Sequence, residues 1–97
     1  MLLLGIDLGS SSVKASVIEG ESGNCLATAF YPHYEMKIIA LKPGWAEQEP
    51  DLWWSNLKSA ILDCNNQLGA KKNSIGAIGI SYQMHGLVTV DKDFKVL

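Results

Sequence analysis

Two short stretches carry residue types whose spacing suits chemistry. The first, Gly5-Ile6-Asp7-Leu8-Gly9-Ser10-Ser11-Ser12, sets an acid at the end of an apolar run, then a glycine and three hydroxyls. Gly9 lets the backbone come close to a ligand without a side-chain clash. Successive N–H groups in such a turn form a concavity for anions, and serine hydroxyls rotate to donate to phosphate oxygens. Gly9, Ser10, Ser11 and Ser12 are therefore a candidate phosphate cradle. An acid beside that cradle would repel phosphate unless a cation stood between them. Asp7 is accordingly a candidate Mg²⁺ ligand, because this hard cation takes oxygen donors and keeps several waters. A buried acid before a tight hairpin also calls for a partner. The plain alternative is an ordinary hairpin turn rich in serine. Lys14, past the turn on the face of Ser12 and Ser16, reads as a surface lysine.

The second stretch is Gly79-Ile80-Ser81-Tyr82-Gln83-Met84-His85-Gly86. It puts polar side chains just beyond an apolar strand, where α/β sheets commonly bind ligands. Gln83 supplies two donors and an acceptor, and neutral His85 one of each. Met84 offers an adaptable apolar wall. Gln83, Met84 and His85 form a candidate site for a polyhydroxy ligand. The alternative for His85 is a hydrogen-bonded loop histidine. No neighbouring serine, cysteine or acid in the stretch makes a catalytic relay with it.

These stretches need elements to hold them. Leu2–Leu8 reads as a buried strand, Val13–Glu19 alternates as a second, and Cys25–Tyr31 resumes a third after the turn residues Gly20 to Asn24. Three antiparallel strands are predicted. Residues 32–49 are irregular, with an extended piece near Met36 to Ala40. Pro50 suits a first helical position, and Glu47, Glu49 and Asp51 favour its positive end. Trp53, Leu57, Ile61, Cys64 and Leu68 then make one apolar stripe, and Gly69 stops the helix. Trp53 and Trp54 read as packing residues. Ile75–Ser81 reads as a central strand with buried flanks, parallel to the first. Leu87–Val90 and Phe94–Leu97 read as a hairpin around Asp91-Lys92-Asp93. The fold class is α/β with a mixed sheet.

Composition narrows the function. The chain has 97 residues, 47% of them apolar, enough for one modest core and too few for two lobes. Eight basic residues, all lysines, stand against ten acids, giving a net charge of −2. Without arginine or a basic face, nucleic acid is excluded as the expected partner. Lys71 and Lys72 form the one basic pair and read as a solvated loop. Cys25 and Cys64 match no metal spacing and read as two buried thiols in a reducing cytoplasm. No secretory signal or membrane span is visible, so a soluble, cytoplasmic protein is expected.

The serine turn resembles the first phosphate motif of the actin, hexokinase and sugar-kinase superfamily. That resemblance implies a ribonuclease-H-like fold, incomplete in this chain. The family more often has threonine where Ser10 stands. Gly-Ile-Ser-x-Gln-Met-His-Gly, Pro43-Gly44-Trp45-Ala46-Glu47-Gln48-Glu49-Pro50 and Trp53-Trp54 resemble segments of the FGGY carbohydrate kinases, on the xylulokinase side of that family. The matches run in order over nearly the whole chain. They imply that residues 1–97 are the first part of an amino-terminal domain whose partner domain is absent. They also imply ATP and Mg²⁺, with D-xylulose phosphorylated at its 5-hydroxyl. By carry-over, Met84 and His85 contact the ketose and Asp7 sits by the metal and phosphates. The family's general base is an aspartate expected beyond Leu97, so the 97 residues alone are expected to be inactive. A stand-alone phosphate- or sugar-binding module is the contrasting expectation, as is a family member acting on ribulose, gluconate or glycerol. An open sheet edge would also let the chain form a homo-oligomer.

Overall fold

In a computed structural model the chain is described over residues 1–69 and 75–97. The Lys71-Lys72 loop lies outside the described residues. Four strands and one helix form: β1 (Leu2–Leu8), β2 (Val13–Glu19), β3 (Cys25–Tyr31), α1 (Pro50–Leu68) and β4 (Ile75–Ser81). The sheet order is β3-β2-β1-β4. The β1–β2 and β2–β3 pairs are antiparallel, and β4 runs parallel to β1 after the crossover through α1. The mixed sheet and its antiparallel opening are as expected.

Alternation along each strand decides which side is buried. Leu2, Leu4 and Ile6 of β1, Val13, Ala15 and Val17 of β2, and Ala27 and Ala29 of β3 face α1 and form the core with Ala60, Cys64 and Met36. Small residues on both surfaces let the helix lie close. The Cys64 thiol reaches the Ala15 carbonyl at 3.6 Å. Burial, with the negative charge of Asp63 and then Cys25 as lesser causes, pushes the Cys64 thiol above its ordinary range.

The helix begins with Pro50 in its first turn and no side-chain cap at Glu49. It ends at Gly69, whose φ of 59° is a conformation that other residues resist and whose N–H donates to the Asn65 carbonyl. Gln67 latches α1 to β3. Its amide receives the Thr28 N–H at 3.3 Å and donates to the Thr28 carbonyl at 2.8 Å. It also donates to Asp63 at 3.0 Å. Asp63 in turn accepts from the Tyr31 hydroxyl at 3.1 Å, and that bond, with burial and the charge of Asp63, raises the Tyr31 pKa.

Several expectations are corrected. β1 is buried on one face only, because Leu3, Gly5 and Asp7 point away from α1. β4 is not central among the described residues. It ends the sheet, and the helix packs over β2 and β3 instead, leaving Ile80 64% exposed. The apolar run showed a strand but not what covers it. Cys25 is exposed at the start of an edge strand, so only Cys64 is a buried thiol. Trp54 lies off the helix's packed stripe and is 61% exposed, with Lys58 Nζ 5.8 Å from its ring centre. The last segment is a turn closed by a single bridge, Val90 to Val96, rather than two strands. The Asp91 carboxylate caps it, accepting from the N–H groups of Asp93 and Lys95.

Candidate functional site

The serine turn joins β1 to β2, and its backbone is held from four sides. The Gly9 carbonyl accepts from Gln83 Nε2 at 3.2 Å. The Ser10 carbonyl accepts from Gln48 Nε2 at 2.6 Å. The Ser11 carbonyl accepts from the Met36 N–H at 2.9 Å, and the Ser12 carbonyl from the Gly9 N–H at 3.1 Å. The Gly9, Ser10 and Ser11 carbonyls are thus turned toward other segments of the chain, and the Ser12 carbonyl closes the turn on itself. In a trans peptide the N–H points opposite the carbonyl of the same plane. The N–H groups of Ser10, Ser11 and Ser12 therefore point the other way.

Gly9 differs from its expected part. Its own N–H is spent inside the turn. A Cβ at this position would lie 2.9 Å from the Ser12 carbonyl, so the glycine is required by the hairpin itself.

Asp7 was expected to be a buried acid and is exposed, because alternation turns it to the face opposite α1. On that face it stands between two register partners, Lys14 of β2 and Ser81 of β4. The Ser81 hydroxyl donates to Asp7 Oδ1 at 3.1 Å. Gly5 pairs directly with Gly79, so the sheet beside Asp7 is bare backbone. Gly5, Asp7, Lys14, Ser16, Gly79 and Ser81 help line a shallow hollow of about 450 Å³ there. Lys14 is exposed as expected, but it faces the acid. The parallel wording Gly5-Ile6-Asp7 and Gly79-Ile80-Ser81 was the sequence signal for this pairing.

Gln83, Met84 and His85 line a second, larger cleft of about 710 Å³, together with Ser10, Gln48 and Trp53. Met84 is 79% exposed and offers an open apolar wall. Gln83 is half-buried and directs one end of its amide to Gly9, so its role is partly structural. Gly86 closes the loop by donating its N–H to the Gln83 carbonyl. The two stretches therefore meet, with Ser10 on the wall shared by both.

Gln48 is the residue that the motifs did not single out as a site. Its place is set on both sides. Ile39 and Glu47 exchange two backbone hydrogen bonds at 2.7 and 2.8 Å just before it, and α1 starts at Pro50 just after it. Trp53 Nε1 donates to Gln48 Oε1 at 3.0 Å. Trp53 is half-buried against the core, as expected, and its polar edge reaches the cleft.

Residues 2–97 match the N-terminal domain of the FGGY family of carbohydrate kinases. Over 99 residues the chain is 35% identical to the xylulose kinase of Klebsiella pneumoniae, an alignment covering 99% of this chain and 19% of that protein. A crystal structure of a "xyloylose kinase" from Brucella ovis superposes with a TM-score of 0.89 at 34% identity, over 99% of this chain and 19% of that one. A gluconate kinase from Lactobacillus acidophilus superposes with a TM-score of 0.83 at 27% identity, over 99% of this chain and 18% of its own. The chain thus spans about a fifth of these relatives' length. By the match of residues 2–97 to the family's N-terminal domain, the chain belongs to the FGGY family of carbohydrate kinases.

Proposed function

We propose that residues 1–97 are the first part of the amino-terminal domain of an ATP-dependent sugar kinase that phosphorylates D-xylulose at its 5-hydroxyl. The observation that carries this reading is the hydrogen bond from Gln83 to Gly9, which ties a phosphate-type turn to a polyol-type loop across one cleft. Phosphoryl transfer depends on such positioning and on charge neutralisation.

In this reading the N–H groups and hydroxyls of Ser10, Ser11 and Ser12 hold phosphate oxygens. Gly9 shapes the turn. Met84 and His85 contact the sugar, and Gln83 Oε1 is the amide end left to meet a sugar hydroxyl. The donors at Asp7 fit Mg²⁺: one exposed carboxylate with a hydroxyl at 3.1 Å. Among the described residues no three His, Cys, Asp or Glu side chains gather into a full cage. One carboxylate completed by phosphate oxygens and water is the usual Mg²⁺ arrangement. Bound there, the ion supplies neutralisation of the developing phosphate charge. The general base that accepts the sugar hydroxyl's proton is assigned to an aspartate beyond Leu97, so the 97 residues alone do not turn over. None of the described helices is long and apolar enough to cross a membrane, and a cytoplasmic setting suits a kinase that uses ATP.

The similarity to a gluconate kinase supports a second reading, in which the acceptor is another polyol on the same scaffold. The test is ADP release by the whole kinase offered D-xylulose, L-ribulose, D-gluconate and glycerol. Turnover with D-xylulose at the highest kcat/KM is expected. Silence with D-xylulose and turnover with another acceptor overturns the substrate, and silence with all four overturns both acceptor readings.

A further inference from the structure

We propose that Gln48 is a positioning residue that aims the serine turn, relaying the placement of Trp53 at the head of α1 to the Ser10–Ser11 peptide. This rests on the reading of that turn as the phosphate site. The orientation of the Gln48 amide is determined by its partners. The Trp53 indole N–H can only donate, so it faces Oε1. The Ser10 carbonyl can only accept, so it faces Nε2. Both ends of the amide are satisfied in one sense only, and such chains strengthen each bond by polarisation.

The consequence lies one atom further on. The Ser10 carbonyl and the Ser11 N–H belong to one rigid peptide plane and point in opposite directions. Holding the first with Gln48 aims the second. Gln83 does the same for the Ser10 N–H through the Gly9 carbonyl. The two glutamines, one from the middle of the chain and one from the loop after β4, clamp adjacent planes. Of the two, Gln48 makes the shorter bond, 2.6 Å against 3.2 Å, and it alone is tied to the helix.

Three variants separate the ends of the relay. Gln48→Ala removes both bonds. Gln48→Glu keeps an acceptor for Trp53 but sets a carboxylate against the Ser10 carbonyl. Trp53→Phe keeps a smaller aromatic ring and removes the indole donor. Gln67→Ala, at the far latch on β3, is the control. In ¹⁵N-resolved spectra of the 97-residue chain, all three test variants should displace the Ser10 and Ser11 amide resonances, and Gln67→Ala should not. In the whole kinase, Gln48→Ala and Gln48→Glu should lower kcat or raise the KM for ATP by on the order of tenfold to a hundredfold. The KM for sugar should stay within about twofold, a split that a general loss of folding does not produce.

Unmoved Ser10 and Ser11 amides in Gln48→Ala overturn the proposal. So does a kinetic defect confined to the sugar. If the whole kinase uses none of the four acceptors, the functional reading fails while the amide resonances still decide the role of Gln48.

Discussion

Gln83 Nε2 lies 3.2 Å from the carbonyl oxygen of Gly9, joining residues 74 positions apart. The bond crosses from the loop after β4 to the turn after β1, and it exists because those strands are parallel neighbours in register from Gly5–Gly79 to Asp7–Ser81. Replacing Gln83 with Leu keeps much of the side-chain volume and leaves the Gly9 carbonyl without this donor. A loss of about 1 kcal/mol is expected. Urea unfolding of the chain measures it as a lower midpoint at unchanged slope.

Gly9→Ala should cost more. The added methyl group would meet the Ser12 carbonyl at 2.9 Å, and backbone must shift to admit it. A destabilisation of roughly 1–3 kcal/mol is expected. Because the turn itself is displaced, the whole kinase should also lose kcat, whereas Gly23→Ala, in the distant β2–β3 turn, should leave kcat unchanged.

Asp7→Ala should separate catalysis from stability. The side chain is exposed on the face away from α1, so the unfolding free energy should move by less than about 0.5 kcal/mol. In the whole kinase kcat should fall by on the order of a hundredfold or more, the scale of losing one preorganised charge-stabilising group. His85→Ala should instead raise the KM for sugar. Steady-state kinetics with each substrate varied in turn distinguish the two.

The cysteines should differ in reactivity and in their effect on pH stability. Cys25 is exposed and Cys64 buried, so a chromogenic disulfide should label one thiol promptly and the second only as the chain unfolds. Burial raises the Cys64 pKa first, and the Tyr31 pKa is raised first by its hydrogen bond to Asp63. In both cases the folded state favours the protonated form. Their contribution is complete below the unfolded-state values, roughly 8.5 for Cys and 10 for Tyr, and is lost as pH rises through the higher folded values. Thermal melts should therefore show stability falling above about pH 8.5, with Cys64→Ala reducing the first part of the fall.

Strand limits and helix start were legible because each follows from a local pattern. Leu2, Leu4 and Ile6 alternate, Pro50 opens a helix, and Gly69 ends one. What escaped reading was coverage. Ile78 and Ile80 have the composition of a central strand, yet α1 lies over β2 and β3, since Ala15, Ala27 and Ala29 let it approach there. Asp7 looked buried because its run was apolar, and only the pairing with Lys14 and Ser81 shows which face it takes. Gln48 was visible as part of a motif. Its contact with Ser10 spans 38 residues and depends on how the irregular segment folds back, which no periodicity encodes.

The helix roofs only half of the sheet, and the two stretches fall on either side of that boundary. The serine turn is clamped at four carbonyls beside the roofed half, while Met84 and His85 hang from the unroofed strand β4. On the proposed reading, a phosphate would meet a turn already held by hydrogen bonds, whereas a sugar would have to order the exposed Met84 and His85, so added stiffness there would tell most on sugar affinity.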